Sequence, residues 1–418
     1  MIATANMLHN LIKGHFESGG IYVETLAING GRAAIDYKLP TIMNSSGRDF
    51  GAEEMEQISE VIAAGNLGFI GGTKIKDFQK MWEEKYGVEK AVCVSSGTAA
   101  LHTAINFLNL GANDEVLIPA ITDIGSVLGV MLQGAEPVFV DVDPISQNID
   151  PDDIERHITP RTKALMVVHL YGYPCDMDRI MPIVKKHNLF LIEDCAQAHI
   201  ARYKGRLVGT FGDVSCFSFQ QSKHMTTGDG GMVMAPKDEL CGRKLVHCHD
   251  KAWPREVYRD HLFLAPNYHM TDLQAAVGIA QFNKLERLVA QRRESALYLS
   301  RLLSDIDGLY PPVDTELGTQ TFFEYALAFD PEKFTAGNKE MAAALVAEGM
   351  ACAPGYLPHP IYMYDVVTHN HHMELGMCPN AVEACKHMLF IPWSEKHTKQ
   401  HAEDISKALH KVLGSYKK

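Results

Sequence analysis

No apolar run in these 418 residues approaches the roughly 20 needed to cross a bilayer. The N-terminus lacks the charged-then-apolar pattern of a secretory signal. Lysine and arginine form no block and the net charge is −12, which argues against nucleic acid or an anionic membrane as partner. The nine cysteines are odd in number and contain no C-x-x-C pair. That reads as reduced thiols in a cytoplasmic protein rather than as a disulfide framework. Repeats and low-complexity tracts are absent as well. What is there is a chain with 46% apolar and 22% charged residues, long enough for one large domain and a smaller one.

Residues 1–45 follow no clear period and carry Gly-Gly pairs at 19–20 and 30–31, and they read as an N-terminal extension packed on a neighbour. From Ala52 to Ala64 the pattern is helical, with Met55, Ile58, Val61 and Ile62 spaced as one apolar face. Apolar strands then recur at Ala91–Val94, Glu115–Ile118, Val138–Val142, Ala164–Val168, Leu189–Ile192 and Val214–Phe219. Their starts lie 23 to 26 residues apart, a spacing that leaves room for a βαβ crossover. Strands apolar on both faces predict a mainly parallel sheet covered by helices, an α/β fold. A long helix is expected after Tyr268, reaching about Leu303, and Pro311-Pro312 marks a boundary. The remainder reads as an α+β domain with a strand near 323–329 and a last helix over about 400–412. The expected division is 1–45, 46–290 and 291–418.

The chemistry concentrates in three places. Ser218-Phe-Gln-Gln-Ser-Lys223 puts one lysine on a short loop between an apolar run and a glycine-rich turn. An amine held there is partly desolvated, so its pKa falls and it can attack an aldehyde. Ser95-Ser-Gly-Thr98 follows the first strand and opens a helix. Its free N–H groups suit a phosphate, although a capped helix start with no ligand has the same pattern. Asp194 ends the fifth strand at the carboxyl edge of the sheet, where open α/β folds bind ligands, and Gln197 follows three residues on. A carboxylate there can keep a pyridine nitrogen protonated, or it can simply cap a helix.

In this order the three elements resemble the DegT/DnrJ/EryC1/StrS family of sugar and aminocyclitol aminotransferases. The likeness runs over about residues 48–415 and is carried by SSGTAALHTAI (95–105), NDEVLIPAIT (113–122), PVFVDVD (137–143), ITPRTKALMVVHLYG (158–172), HNLFLIEDCAQAH (187–199), GTFGDVSCFSFQQSKHMTTGDGGMV (209–233) and NYHMTDLQAAVGIAQ (267–281). The resemblance implies fold type I: a large domain built on a mainly parallel seven-stranded sheet, with a smaller α+β domain. It implies pyridoxal 5'-phosphate as cofactor, with the pyridoxamine form as its aminated state. Lys223 would form the Schiff base and move the proton, Asp194 would hold the ring nitrogen, and Gln197 would lie near the ring oxygen. Gly97, Thr98 and Ser218 would bind the phosphate, with Asn267 reaching it from the second subunit of a homodimer. The reaction implied moves an amino group from glutamate or glutamine to a keto-sugar or keto-cyclitol.

Three positions depart from the family pattern and mark candidate substrate contacts. Gln220 stands where the family usually has histidine, which looks like the keto-cyclitol branch, often served by glutamine. Asp123 replaces the usual aromatic that stacks on the pyridine, and His269 replaces a frequent arginine. His359, in Leu-Pro-His-Pro, aligns with a family histidine near the substrate. The clusters His247-Cys-His-Asp250 and His369-Asn-His-His372 lack the spacing of a tetrahedral metal site, so no metal is expected. A sugar dehydratase of the same family would carry histidine in place of Lys223. A non-enzymatic regulator would not need the cofactor set intact.

Overall fold

Seven strands form the central sheet of the computed structural model, which describes residues 24–255, 257, 259–371, 374 and 376–418. They are β1 (Lys90–Val94), β2 (Glu115–Pro119), β3 (Glu136–Val140), β4 (Thr162–Val168), β5 (Phe190–Asp194), β6 (Val214–Ser218) and β7 (Gly231–Ala235). Their order across the sheet is β1-β7-β6-β5-β4-β2-β3. From β6 to β3 every pairing is parallel, and β7 alone opposes its neighbours. Side chains leave the sheet into an apolar layer on each face. Val92 and Val94 enter one layer while Ala91 and Cys93 enter the other. Val116 and Ile118 separate from Leu117 in the same way. With no polar face to show, such strands read in sequence as unbroken apolar runs, as parallel sheets do.

Helices α1 (Ala52–Ala64), α2 (Lys74–Tyr86), α3 (Gly97–Phe107), α4 (Ile124–Leu132), α5 (Met177–His187) and α6 (Asp272–Leu302) surround the sheet. The inner face of α1 differs from the expected one. Val61 is buried and Ile58 half-buried, but Met55 and Ile62 are 66% and 58% exposed. Glu54 takes the inner place instead, because Gln281 Nε2 and Lys284 Nζ on α6 donate to it at 2.8 and 2.9 Å. A satisfied buried carboxylate outcompeted the apolar spacing.

At 31 residues α6 is about 46 Å long by the rise of an α-helix. It opens on a capping box, Thr271 with Gln274, and packs first on α1 and α2. Its far end meets α8 (Lys399–Ser415) of the C-terminal unit. Residue 290, the expected domain boundary, therefore lies inside one continuous helix shared by both units. The C-terminal unit has a three-stranded antiparallel sheet of β8 (Leu309–Tyr310), β9 (Tyr325–Phe329) and β10 (Met388–Ile391), backed by α7 (Asn338–Ala347) and α8. Leu299, Leu327, Leu345, Trp393 and Leu409 lie in its core.

Leu26 and Ile35 join that same core. The buried Glu348 accepts the N–H groups of Ala27 and Ala34 at 2.8 Å each and pairs with Lys411 at 2.9 Å. Part of the expected extension thus packs on its own chain. Residues 1–23 lie outside the described residues.

Candidate active site

The carboxyl ends of β1, β2, β5 and β6 open onto one cavity of about 410 Å³. Gly97, Thr98, Asp123, Asp194, Gln197, Ser218, Gln220 and Lys223, each singled out from the sequence, line it together. The sheet brings them together because each follows a parallel strand, and parallel strands end on the same edge.

Asp194 sits on the cavity floor, 4% exposed. Its Oδ1 accepts the Ala196 N–H at 3.0 Å and its Oδ2 accepts the Ser126 hydroxyl at 2.8 Å. Thr122 Oγ1 lies 2.7 Å from Ser126 Oγ, which already donates to Asp194, so Thr122 donates in turn. This chain of hydroxyls polarises toward one carboxylate. Burial pushes the Asp194 pKa up from its ordinary value, and the Ala196 N–H, the Ser126 hydroxyl and Lys223 oppose that rise. Gln197 is held at both ends: its Oε1 accepts the Tyr171 N–H at 2.8 Å, and its Nε2 donates to Tyr356 Oη at 3.1 Å. Ser126 and Tyr356 carried no signal in the sequence, since neither belongs to a recognisable spacing.

The first turn of α3 meets the end of β6 closely. A Cβ on Gly97 would stand 2.7 Å from Ser218 Cβ and 3.0 Å from its Oγ, so only glycine lets the two approach. Ser96 caps the helix by accepting the Ala99 N–H at 3.0 Å. The Gly97 and Thr98 N–H groups belong to the first helical turn, where no intrahelical acceptor exists. Two amides without an intrahelical acceptor, a hydroxyl and the positive helix end form an anion cradle, and it lies in the cavity that holds Asp194 and Lys223. The residues present fit a phosphorylated pyridine aldehyde.

Lys223 projects into this cavity with Nζ 4.1 Å from the centre of the Phe323 ring. Burial lowers its pKa, while Asp194, Asp123 and Glu324 pull the other way. Its neighbour His224 is fully buried and turned away, with Nε2 3.0 Å from the Thr321 carbonyl oxygen. Gln220 is exposed, and its Oε1 accepts the N–H and hydroxyl of Ser222 at 2.7 and 2.6 Å. Asp123 caps α4 through the Gly125 N–H at 2.8 Å.

Glu324 lies just before β9, 4% exposed, and accepts the Trp393 N–H at 2.6 Å. Burial raises its pKa from 4.5 to about 8, against the pull of Arg292. The folded chain therefore keeps a proton that the unfolded chain releases, and stability falls as pH rises from 4.5 to about 8. Glu324→Gln keeps the acceptor and removes the titration. Its melting temperature relative to the parent protein should rise across that window and stay level below it. A difference independent of pH would show that the carboxyl is ionised throughout.

Three expected contacts lie elsewhere in the chain. Asn267 is exposed, and its Oδ1 accepts the His269 N–H at 3.3 Å. The His269 ring stacks on Phe69 at 4.2 Å, with Nε2 2.8 Å from Asp250 Oδ1. His359 packs edge-on against Tyr364, its Nδ1 3.3 Å from the Pro360 carbonyl. None of the three lines this cavity. Among the described residues one His/Glu/Cys cluster has metal-like spacing, His169 with Glu193 and Cys195. Two of its members are already engaged: His169 Nδ1 accepts the Cys175 N–H and its Nε2 lies 3.2 Å from Glu193 Oε2, and Glu193 accepts the N–H groups of Gly209, Phe211 and Gly212. His372 lies outside the described residues.

The family model described as the DegT/DnrJ/EryC1/StrS aminotransferase family matches residues 48–410. The chain is 44% identical over 227 residues to a GDP-perosamine synthase of Escherichia coli O157:H7, covering 54% of this chain and 62% of that protein's length. It is 36% identical over 330 residues to the L-glutamine:2-deoxy-scyllo-inosose aminotransferase of Streptomyces kanamyceticus, covering 74% of this chain and 77% of that one. Among solved structures it is similar to the aminotransferase from Psychrobacter cryohalolentis, with a TM-score of 0.83 and 28% identity over 88% of this chain and 98% of that one.

Proposed function

The chain belongs to the DegT/DnrJ/EryC1/StrS aminotransferase family, and from that premise we propose that it moves an amino group from glutamate or glutamine to a keto-sugar or keto-cyclitol with pyridoxal phosphate as cofactor. The observation that carries the reading is the convergence of Lys223, Asp194 and the Gly97–Ser218 cradle in one cavity. When bound, the cofactor supplies an aldehyde that accepts nitrogen and a ring that withdraws electrons from the adjacent carbon.

The chain's own residues divide the remaining work. Gly97, Thr98 and Ser218 hold the phosphate through amides and a hydroxyl. Asp194, oriented by Ser126 and Ala196, keeps a proton on the ring nitrogen. Gln197, fixed by Tyr171 and Tyr356, orients the ring oxygen. Lys223 Nζ would hold the cofactor through its aldehyde carbon and, when free of it, would carry a proton between substrate and cofactor carbons. Burial, which lowers its pKa against the pull of Asp194, Asp123 and Glu324, favours the neutral amine that both roles need. With Lys223 in the cavity and His224 turned away, the residues favour amino transfer over dehydration.

We read the working form as a homodimer in which Asn267 and His269 serve the neighbouring subunit's cavity, and His359 a shared rim. Their absence from their own cavity supports this, as do Met43, Phe50, Met55, Ile62, Leu67 and Ile70, all exposed apolar side chains within one stretch. The described helices include none long and apolar enough to cross a membrane. The nine free cysteines fit a reducing cytoplasm. Gln220 and Asp123 point to a cyclitol rather than a nucleotide-linked sugar.

The test is to prepare the aminated holoenzyme and offer it keto-cyclitols and nucleotide-linked keto-sugars, following the visible band of the lysine-bound cofactor. A keto-cyclitol should restore the band fastest, and glutamine or glutamate should bleach it again. If no ketone restores it, the transfer reading fails.

A further inference from the structure

Three stretches far apart in sequence meet beneath the loop that carries Lys223. Arg48 precedes α1, Arg292 lies within α6 and Glu395 follows β10, and the three side chains are at most 1% exposed. Arg292 Nε and Nη2 donate to Glu395 Oε2 at 3.2 and 3.0 Å. Arg48 Nη1 faces both oxygens of the same carboxylate at 3.5 Å. The opposite edge of the Arg48 fork reaches the catalytic loop: Nη2 donates to the Lys223 carbonyl oxygen at 2.5 Å and to that of Gln221. Arg292 Nη1 reaches the carbonyl oxygens of Phe322, Phe323 and Trp393 at 3.3, 3.1 and 2.9 Å. Gln221 Nε2 also donates to the Ile42 carbonyl at 2.9 Å, tying the segment before α1 to the same loop.

We infer that Arg48, Glu395 and Arg292 form a positioning device for the Lys223 amine, holding the main chain of Lys223 on one side and that of Phe323 on the other. The inference rests on reading Lys223 as the cofactor-binding amine. Stability alone explains three buried charges poorly, since buried ion networks often break even against apolar replacements of the same volume. What the network supplies is direction. A planar guanidinium can bridge a carboxylate and two carbonyls at fixed angles, and a lysine ammonium cannot. The Phe323 ring lies 4.1 Å from Nζ, so displacing either main-chain anchor displaces the amine relative to its packing surface. Burial lowers the Arg48 pKa to about 10, which still leaves the guanidinium charged at neutral pH.

The test uses cofactor-loaded Arg48→Lys. Three quantities separate positioning from mere structural support: the melting temperature, the pH midpoint of the visible lysine-bound band, and the single-turnover rate at which an amino donor bleaches it. A sub-ångström shift of the reacting amine should slow bleaching roughly ten- to hundredfold and move the pH midpoint, with cofactor content retained. A variant that differs only in melting temperature, with rate and midpoint unchanged, would overturn the proposal. Should Arg48→Lys fail to fold, the near-isosteric Glu395→Gln is read by the same criteria. Lys223→Ala keeps the two hypotheses apart. A visible lysine-type band persisting in Lys223→Ala removes the catalytic reading, whereas a normal bleaching rate in Arg48→Lys removes only the positioning device.

Discussion

Lys223→Ala will fold and lose both the visible lysine-bound band and turnover. Removing the side chain leaves the loop anchored, because Arg48 holds the Lys223 carbonyl and the Lys223 N–H donates to the Gln220 carbonyl at 2.9 Å. What disappears is the amine. Proton transfer by a positioned side chain is worth about 10²–10⁴-fold, so the transfer rate should fall at least that far, with the covalent link lost besides. Absorbance of the purified holoenzyme reads the link, and amino transfer from glutamine reads the rate. A variant that transaminates within tenfold of the parent protein would move the catalytic role to another group.

For Asp194→Asn the volume is unchanged and the charge is gone. Two donors, the Ala196 N–H and the Ser126 hydroxyl, now aim at the carboxylate. An amide offers one oxygen, so one donor must turn away or face an NH₂. A hydrogen bond to a charged group is worth about 1.5–3 kcal/mol. If that interaction is realised with the ring nitrogen in the transition state, kcat/KM should drop about 10- to 150-fold. Ser126→Ala should give a smaller loss, and adding it to Asp194→Asn should cost less than the sum, since both act through one carboxylate. Fully additive losses would mean that Ser126 does not work through Asp194.

The readable parts of this molecule are those where neighbours in space are neighbours in sequence. A strand buried on both faces is an apolar run, and the six strands expected from the sequence lie within two residues of their expected places. The turn after β1, the carboxylate ending β5 and the lysine after β6 each sit where a parallel strand stops, so the order of elements already brought them to one edge. The face of α1 was misread for the opposite reason. Glu54 is buried there by partners 227 and 230 residues away, which no local period can reveal. Asn267, His269 and His359 looked equivalent to the other site residues as letters, yet the fold puts them outside the cavity.

The sequence alone pointed to the parallel sheet and to Lys223, Asp194 and the turn at 95–98 as candidates, because each is a short pattern whose physical meaning is local. The amino-transfer chemistry came from the family resemblance that those patterns carry. The tertiary structure decided how those groups are held. Ser126 reaches Asp194 across 68 residues, and Arg48 reaches Lys223 across 175. Hydrogen bonds of that kind depend on where whole elements pack, and packing is settled only when the complete chain closes around its core.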